Sequence, residues 1–316
     1  MRRSIMIIVA ITVIVLISII YLAPSTDDFN PENIGWNGIS DFLQKFDSAS
    51  IIDRLDEKIL FNPPNTTLLI IGPEKSFTKH EADILIEYIK SGGIVILADD
   101  FGSGNELLKM LDVGLSLDGS LLVDPLFNEK DKNLPKIIHL RIDEVDELVF
   151  NYATIVKGCP SSIAYSSSYS YLDLNLNGMW DDEPKGPFEV ACKVRIGRGE
   201  LIVISDSSII INSMLKLGDN LGFLEKLILD RRVLVDGSHW IPSTLTFAKE
   251  VLNSLISMIS IPELRYTILI GIVFMVMRYK IIAEEIKSEI EKILMRNPGW
   301  DRELLTKLER EMRGER

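Results

Sequence analysis

The chain opens on an apolar run from Ile5 to Leu22, softened only by Thr12 and Ser18. Arg2 and Arg3 precede it, and no further charge appears until Asp27. A helix of that length covers the hydrocarbon core of a bilayer. A secretory leader has a shorter apolar core and a small-x-small cleavage site; the exit Tyr21-Leu22-Ala23-Pro24-Ser25 offers no clean one, although Ala23 keeps a cleaved leader open as the alternative. The expectation is an uncleaved transmembrane helix over 4–22, with residues 1–3 in the cytoplasm. Basic residues before the span and Asp27, Asp28 and Glu32 after it place the following chain outside.

A second apolar segment, Tyr266–Met277, lies between Arg265 and Arg278. It is short for a span, and a buried core helix is the alternative. Snorkelling of the flanking Arg and Lys stems extends it to 264–283. Arg278, Lys280 and Lys287 then lie inside, in agreement with the first span. The reading is a two-span protein in the cell membrane, in contact with membrane lipid. Both termini are cytoplasmic and one large extracytoplasmic loop joins the spans.

The chain has 316 residues and a net charge of −12. An acidic surface repels a phosphate backbone, so nucleic acid is not expected as a partner. Cys159 and Cys192 are the only cysteines, and neither sits in a pairing motif. They are read as two separate packed thiols, with a disulfide as the alternative if both lie outside.

Between the spans, a polar linker (23–34) leads into a helix carrying Ile39, Phe42, Leu43 and Phe46 on one face, then a short strand at Ile51-Ile52. A buried strand, Thr67–Ile71, follows. Thr78-Lys79-His80-Glu81 is a capping box opening a helix with Ala82, Leu85, Ile86 and Ile89 as its stripe. Gly92-Gly93 ends that helix, and Ile94–Ala98 is the next buried strand. Strand, helix, strand is a βαβ unit with a parallel sheet. Residues 116–187 are less regular and read as a β-rich insert, with strands at Ile137–Ile142, Val149–Val156 and Ser162–Tyr171. Order returns with strands Pro187–Cys192 and Leu201–Ile204, a helix over about 215–229, and a last strand Arg232–Val235. Residues 241–263 form an amphipathic connector. The tail, 284–316, is charged and helical, with apolar stripes Ile282, Ile286, Ile290, Ile293 and Leu304, Leu305, Leu308 either side of Asn297-Pro298-Gly299. It is read as docking on a partner or the membrane, or as packing on itself.

Several short motifs recur in a fixed order: Gly92-Gly93, the strand ending Asp99-Asp100, the run Gly197-Arg198-Gly199 to Ser205-Asp206, Asn212, Asp219-Asn220, and Val235-Asp236 with His239. They resemble the membrane-anchored family catalogued as domain of unknown function 4350. The likeness covers most of 35–240 and the flanking apolar helices. It implies an α/β domain with a flavodoxin-like parallel sheet, similar in fold to class I glutamine amidotransferases. It also implies association with a MoxR-type AAA ATPase system. The chain departs from the family at Gly237 and Trp240, where an acidic residue and a second His are common.

An amidotransferase needs a cysteine on a strand–helix elbow and a histidine to activate it. The candidate elbow, Asp99 to Gly104, has none, and Gly102 and Gly104 match a dinucleotide fingerprint too poorly for NAD. His80, His139 and His239 are scattered. A non-catalytic sensor or assembly module is expected, with an active hydrolase on an Asp206/Asp236/His239 rim as the rival. Asp99, Asp100, Asp206, Asn212, Asp219, Asn220, Asp236 and His239 are candidate ligand-binding residues, because strand ends of a parallel sheet share one rim. The bland alternative is that they cap backbone N–H groups.

Asp173, Asn175, Asn177, Gly178 and Asp181 follow the spacing of an EF-hand loop, with oxygen ligands at positions one, three, five and nine and glycine at six. Pro184 replaces the acid at twelve, and Glu183, one place early, is the candidate ligand that could substitute in a shorter loop. The loop is read as a weak calcium site, making a calcium-stabilised ectodomain a third possibility, or as an acidic turn that binds nothing.

Overall fold

The computed structural model describes residues 2–46 and 48–312. It divides into two units, 1–247 and 248–316. In the first, α1 (Arg2–Leu22) and α2 (Ser40–Lys45) precede β1 (Ser50–Ile52) and β2 (Thr66–Ile71). Next come α3 (Lys79–Lys90), β3 (Ile94–Ala98) and α4 (Gly104–Leu111). The insert holds β4 (Ser116–Leu117), β5 (Leu121–Val123), β6 (Lys136–Ile137), β7 (His139–Leu140), β8 (Leu148–Val149), β9 (Val156–Lys157), β10 (Ser162–Tyr165) and β11 (Tyr171–Asp173). Then follow β12 (Glu189–Ile196), β13 (Gly199–Ile204), α5 (Asn220–Ile228) and β14 (Arg232–Asp236).

Eight strands form one sheet in the order β1-β14-β2-β3-β13-β12-β10-β7. The first five are parallel. The last three are antiparallel. The sheet is therefore mixed, which corrects the wholly parallel expectation. The tight Gly197-Arg198-Gly199 turn joins β12 to β13 as a hairpin, and a hairpin can only be antiparallel.

Alternation along the strands fills both faces. Leu69, Ile71, Ile94, Ile96, Ile202 and Ile204 pack on α2, α5 and the insert. Leu68, Ile70, Val95, Leu97, Leu201 and Val203 pack on α3 and α4. Residues buried on both sides explain why these strands read as unbroken apolar runs. Gly199 lets the turn before β13 meet the end of α3. A Cβ there would lie 2.1 Å from the Gly93 carbonyl oxygen, which is backbone and has little room to yield.

The α3 capping box forms as expected. Glu81 donates its amide to Thr78 Oγ1 at 3.2 Å, and Thr78 donates its amide to Glu81 Oε2 at 2.8 Å. Thr78→Ala is expected to lower the unfolding free energy by about 1 kcal/mol, measured by urea titration.

Other expectations shift. The insert's predicted strands break into short ladders: β5 with β11, β4 with β9, and β6 with β8. Val149–Val156 is not one strand, because the Phe150 and Tyr152 amides turn to the Pro135 and Asn133 carbonyls and the Asn151 amide to the Asp206 carboxylate. Helix α4 is an addition to the expected elements, with Leu107, Leu108 and Leu111 as its buried face. The helix expected from 215 starts only at Asn220, since Gly218 before it has φ +48°. Cys159 and Cys192 form a disulfide with Cα atoms 5.8 Å apart, correcting the reading of separate thiols. Their separation of 33 residues gives no hint that the segment after β9 lies against β12.

The second unit contains most of α6 (Thr244–Ser260), with α7 (Pro262–Arg296) and α8 (Arg302–Met312). Among the described residues, no single helix is long and apolar enough to cross a membrane. Thr244–Ser260 and Pro262–Arg278 reach that measure only together and are bent by 82°, while Ile11–Leu22 is a shorter apolar helix. The side chains of Tyr279, Lys280, Ile282, Ile286 and Lys287, used to extend the second span and the first tail stripe, lie outside the described residues.

Candidate functional site

The parallel strands β14, β2, β3 and β13 end on one rim, and their order decides which predicted residues meet. Asp99 and Asp100 follow β3, and Asp206 follows its neighbour β13. Asp99 is 1% exposed and accepts backbone N–H groups from Asp100 (2.9 Å), Gly102 (2.9 Å) and Gly104 (2.8 Å). Burial still pushes its carboxyl up to about 6. A Cβ on Gly104 would lie 2.4 Å from Asp99 Oδ2, so only glycine lets this amide approach so closely. Asp100 accepts the Ser207 hydroxyl at 3.0 Å, and burial raises it too.

Asp206 is 0% exposed. Its two oxygens accept the amides of Asn151 (2.9 Å) and Ser208 (2.8 Å). Burial, then the charge of Asp100, raises it well above the usual carboxylate range.

Two strands away, Asp236 ends β14. Its Oδ2 lies 2.6 Å from His239 Nδ1, and its Oδ1 accepts the Ser238 hydroxyl at 2.6 Å. His239 is 4% exposed and stacks on Phe77 with ring centroids 3.8 Å apart. Its Nε2 lies 3.8 Å from Glu81 Oε1. The loop after β2 joins the two halves of the rim. Glu74 and Lys75 donate their amides to the His239 carbonyl, and Ser103 Oγ lies 3.0 Å from the Pro73 carbonyl oxygen and 2.8 Å from that of Lys75.

Asn212, Asp219 and Asn220 do not join this rim. Asn212 holds the 33–41 segment, accepting the Asp41 amide at 2.9 Å and donating to Gly35 at 2.7 Å. Asp219 accepts the amides of Asp146 and Glu147. Asn220 bonds Val149 through both its oxygen and its nitrogen. The other histidines are also remote: His80 faces Glu57 at the surface, and His139 sits on β7, the outer strand of the sheet.

Phe77, Glu81, Lys75 and Ser207 were not anticipated at the rim. Parallel pairing sets the loops after neighbouring strands against one another: β14 with β2 brings Lys75 and Phe77 to the 236–239 turn, and β3 with β13 brings Ser207 to Asp100. The two departures from the family pattern are structural here. Trp240 donates its indole N–H to the Ile71 carbonyl at 2.7 Å, and the Gly237 amide bonds the Ile52 carbonyl at 3.0 Å.

In the Asp173–Glu183 loop, Asp173 accepts the amides of Asn177 (3.1 Å) and Gly178 (2.7 Å). Asn175 and Asn177 both turn their side-chain nitrogens to Asp181 Oδ2. Among the described residues, no three His, Cys, Asp or Glu side chains are grouped closely enough to hold a metal by themselves.

No curated protein matches the chain by sequence. Among solved structures, the mmIFT52 N-terminal domain is similar at TM-score 0.48 and 15% identity, covering 64% of this chain and 92% of that one. A beta-galactosidase from Bacillus circulans sp. alkalophilus aligns at TM-score 0.31 and 12% identity, over 52% of this chain and 22% of its own. A polyextremophilic beta-galactosidase from the Antarctic haloarchaeon Halorubrum lacusprofundi aligns at TM-score 0.32 and 16% identity, over 52% and 22%. The domain of unknown function DUF4350 matches residues 30–228. That is more than half of the sequence, and the chain belongs to this family.

Proposed function

We propose that the protein is a membrane-anchored binding module that engages a ligand or partner without turning it over. The observation that supports this best is the state of the rim. The only hydroxyl on the candidate elbow, Ser103, is held by two backbone carbonyls, and its hydrogen-bond partners do not include a histidine. The imidazole of His239 lies beneath Phe77 and between two carboxylates. A serine nucleophile needs a base within hydrogen-bond reach. The carboxylates Asp99 and Asp206 bind backbone amides, which makes them braces for the loops that carry the recognition surface.

Membrane attachment rests on side chains of α1 and α7. Ile8, Ile11, Ile14 and Leu22 of the first, and Ile270, Val273, Phe274 and Met275 of the second, are all exposed to their surroundings. A helix apolar on every side needs either a protein core or lipid. Lipid is the proposed surrounding, with the rim domain outside the cell and residues 284–316 inside. On α8, Leu304, Leu308 and Met312 form an exposed stripe at helical spacing. That stripe is the proposed docking face for a cytosolic partner, for which a MoxR-type AAA ATPase is the first candidate.

Affinity capture from native membrane tests this directly. The full chain is expected to recover a specific protein that a chain ending at 283 loses, and to show no turnover on ester or amide panels. The Asp236–His239 pair favours the rival hydrolase, since it orients an imidazole as catalytic pairs do. Turnover that vanishes in His239→Gln while the melting curve is kept would establish the rival and overturn the binding module.

A further inference from the structure

We infer that the 173–183 loop is a calcium site, with Glu183 supplying the carboxylate that its sequence position had put in question. This inference does not rest on the reading of the rim. Glu183 lies one place short of the usual closing acid, yet the fold folds it back over the loop entrance. Its Oε1 accepts the Leu174 amide at 2.8 Å, directly beside Asp173. Its Oε2 is buried and has no hydrogen-bond partner, in a residue only 9% exposed. A bare carboxylate oxygen out of water is costly unless a cation or donor meets it.

The surroundings suit a hard cation. Asp173 is 2% exposed, and each of its oxygens is engaged by one backbone amide, leaving lone pairs on both. Asp181 and the side-chain carbonyls of Asn175 and Asn177 stand at the remaining ligand positions. The three acids are tied together through the loop: Glu183 Oε1 accepts the Leu174 amide beside Asp173, Asp173 accepts the Asn177 amide, and the Asn177 side-chain nitrogen donates to Asp181 Oδ2. The loop sequence carries four carboxylates, Asp173, Asp181, Asp182 and Glu183, and two ammonium groups lie against it. Lys132 donates to the Gly178 carbonyl, and Lys185 lies 3.5 Å over the Trp180 ring. The loop therefore keeps a net charge of −2 for a divalent ion. Mixed carboxylate and side-chain amide oxygens in an irregular arrangement suit calcium better than magnesium, which demands a near-octahedral shell. Two amide ligands place the affinity among the weak extracellular-type sites, with Kd of about 0.1–1 mM. Bound there, the ion would clamp β11 to the approach to β12 and stiffen the insert.

Terbium, a hard oxygen-seeking stand-in, gives the test, because Trp180 lies inside the loop and sensitises its emission. With the full chain in detergent, terbium emission is expected to saturate and to be displaced by millimolar calcium. Calcium at about ten times Kd is expected to raise Tm by about 3–6 °C over EDTA. Glu183→Gln keeps an oxygen for the Leu174 amide but removes the charge, and is expected to weaken terbium and calcium at least tenfold. Trp180→Phe is expected to remove the emission while keeping the calcium shift in Tm. Equal affinity in wild type and Glu183→Gln, or a Tm indifferent to calcium and EDTA, overturns the site.

Discussion

Replacing Asp206 with alanine is expected to lower the unfolding free energy by about 3 kcal/mol near pH 5. The side chain is wholly enclosed, and its two oxygens satisfy the amides of Asn151 and Ser208. Alanine leaves both amides in a dry site, at about 1–3 kcal/mol each, and opens a small void. Asp206→Asn keeps one acceptor but turns an NH2 toward the second amide, so its loss is expected to be about half as large. The penalty for alanine should shrink as pH rises. Burial and Asp100 make the ionised form of Asp206 unfavourable, so wild type loses stability on deprotonation and the variant does not. Urea titrations of the detergent-solubilised chain at two pH values measure both effects. An unchanged midpoint near pH 5 would mean that water replaces the carboxylate, and would return Asp206 to the list of solvent-facing ligand groups.

The elements carrying two-sided apolar runs were legible before any coordinates. Thr67–Ile71, Ile94–Ala98 and Leu201–Ile204 lie within one residue or two of the observed strands, and α3 ends where its glycines stand. Those segments report their burial in their own composition. The insert does not: its strands run to four residues at most and pair with segments tens of residues away, so local periodicity has nothing to register. Helix α4 is masked in the sequence because Asp99–Asn105 has the composition of a ligand loop and only Leu107, Leu108 and Leu111 mark its buried face.

The rim was legible as a set of residue types but not as a set of contacts. Asp99, Asp100 and Asp206 meet because β3 and β13 are neighbours, while Asn212, Asp219 and Asn220 leave the rim to hold loops. From sequence, an aspartate that binds a ligand and one that binds a backbone amide look alike. The distinction appears only in the partners of its oxygens. Glu183 shows the reverse case. Its position in the motif, one place early, left its role as a substitute ligand open, and its unpartnered buried oxygen argues for it.

The rim carboxylates also make the domain more stable in mild acid than at neutral pH, the second large effect expected. Asp99 has its carboxyl raised to about 6 by burial, against an ordinary value of 3.8. The folded state therefore holds this proton more tightly than the unfolded chain does. Its contribution is fully present below about pH 4 and is lost as pH rises through about 6. The whole shift corresponds to about 3 kcal/mol, of which about 1.4 kcal/mol falls between about pH 5 and pH 7.5. Asp100 and Asp206 are raised for the same reason and act in the same direction. Opposing them, Asp118 is lowered by its hydrogen bond and ion pair with Lys157, so its contribution is present above about pH 4 and lost in stronger acid. The urea midpoint is thus expected to fall from about pH 5 to pH 7.5, and Asp99→Asn to flatten that slope while lowering stability throughout, since its amide nitrogen meets the Gly104 N–H. A midpoint that rises over the same interval would show that the three backbone amides around Asp99 outweigh its burial. The rim would then carry its negative charge already in mild acid, and the ligand to seek would be a cation.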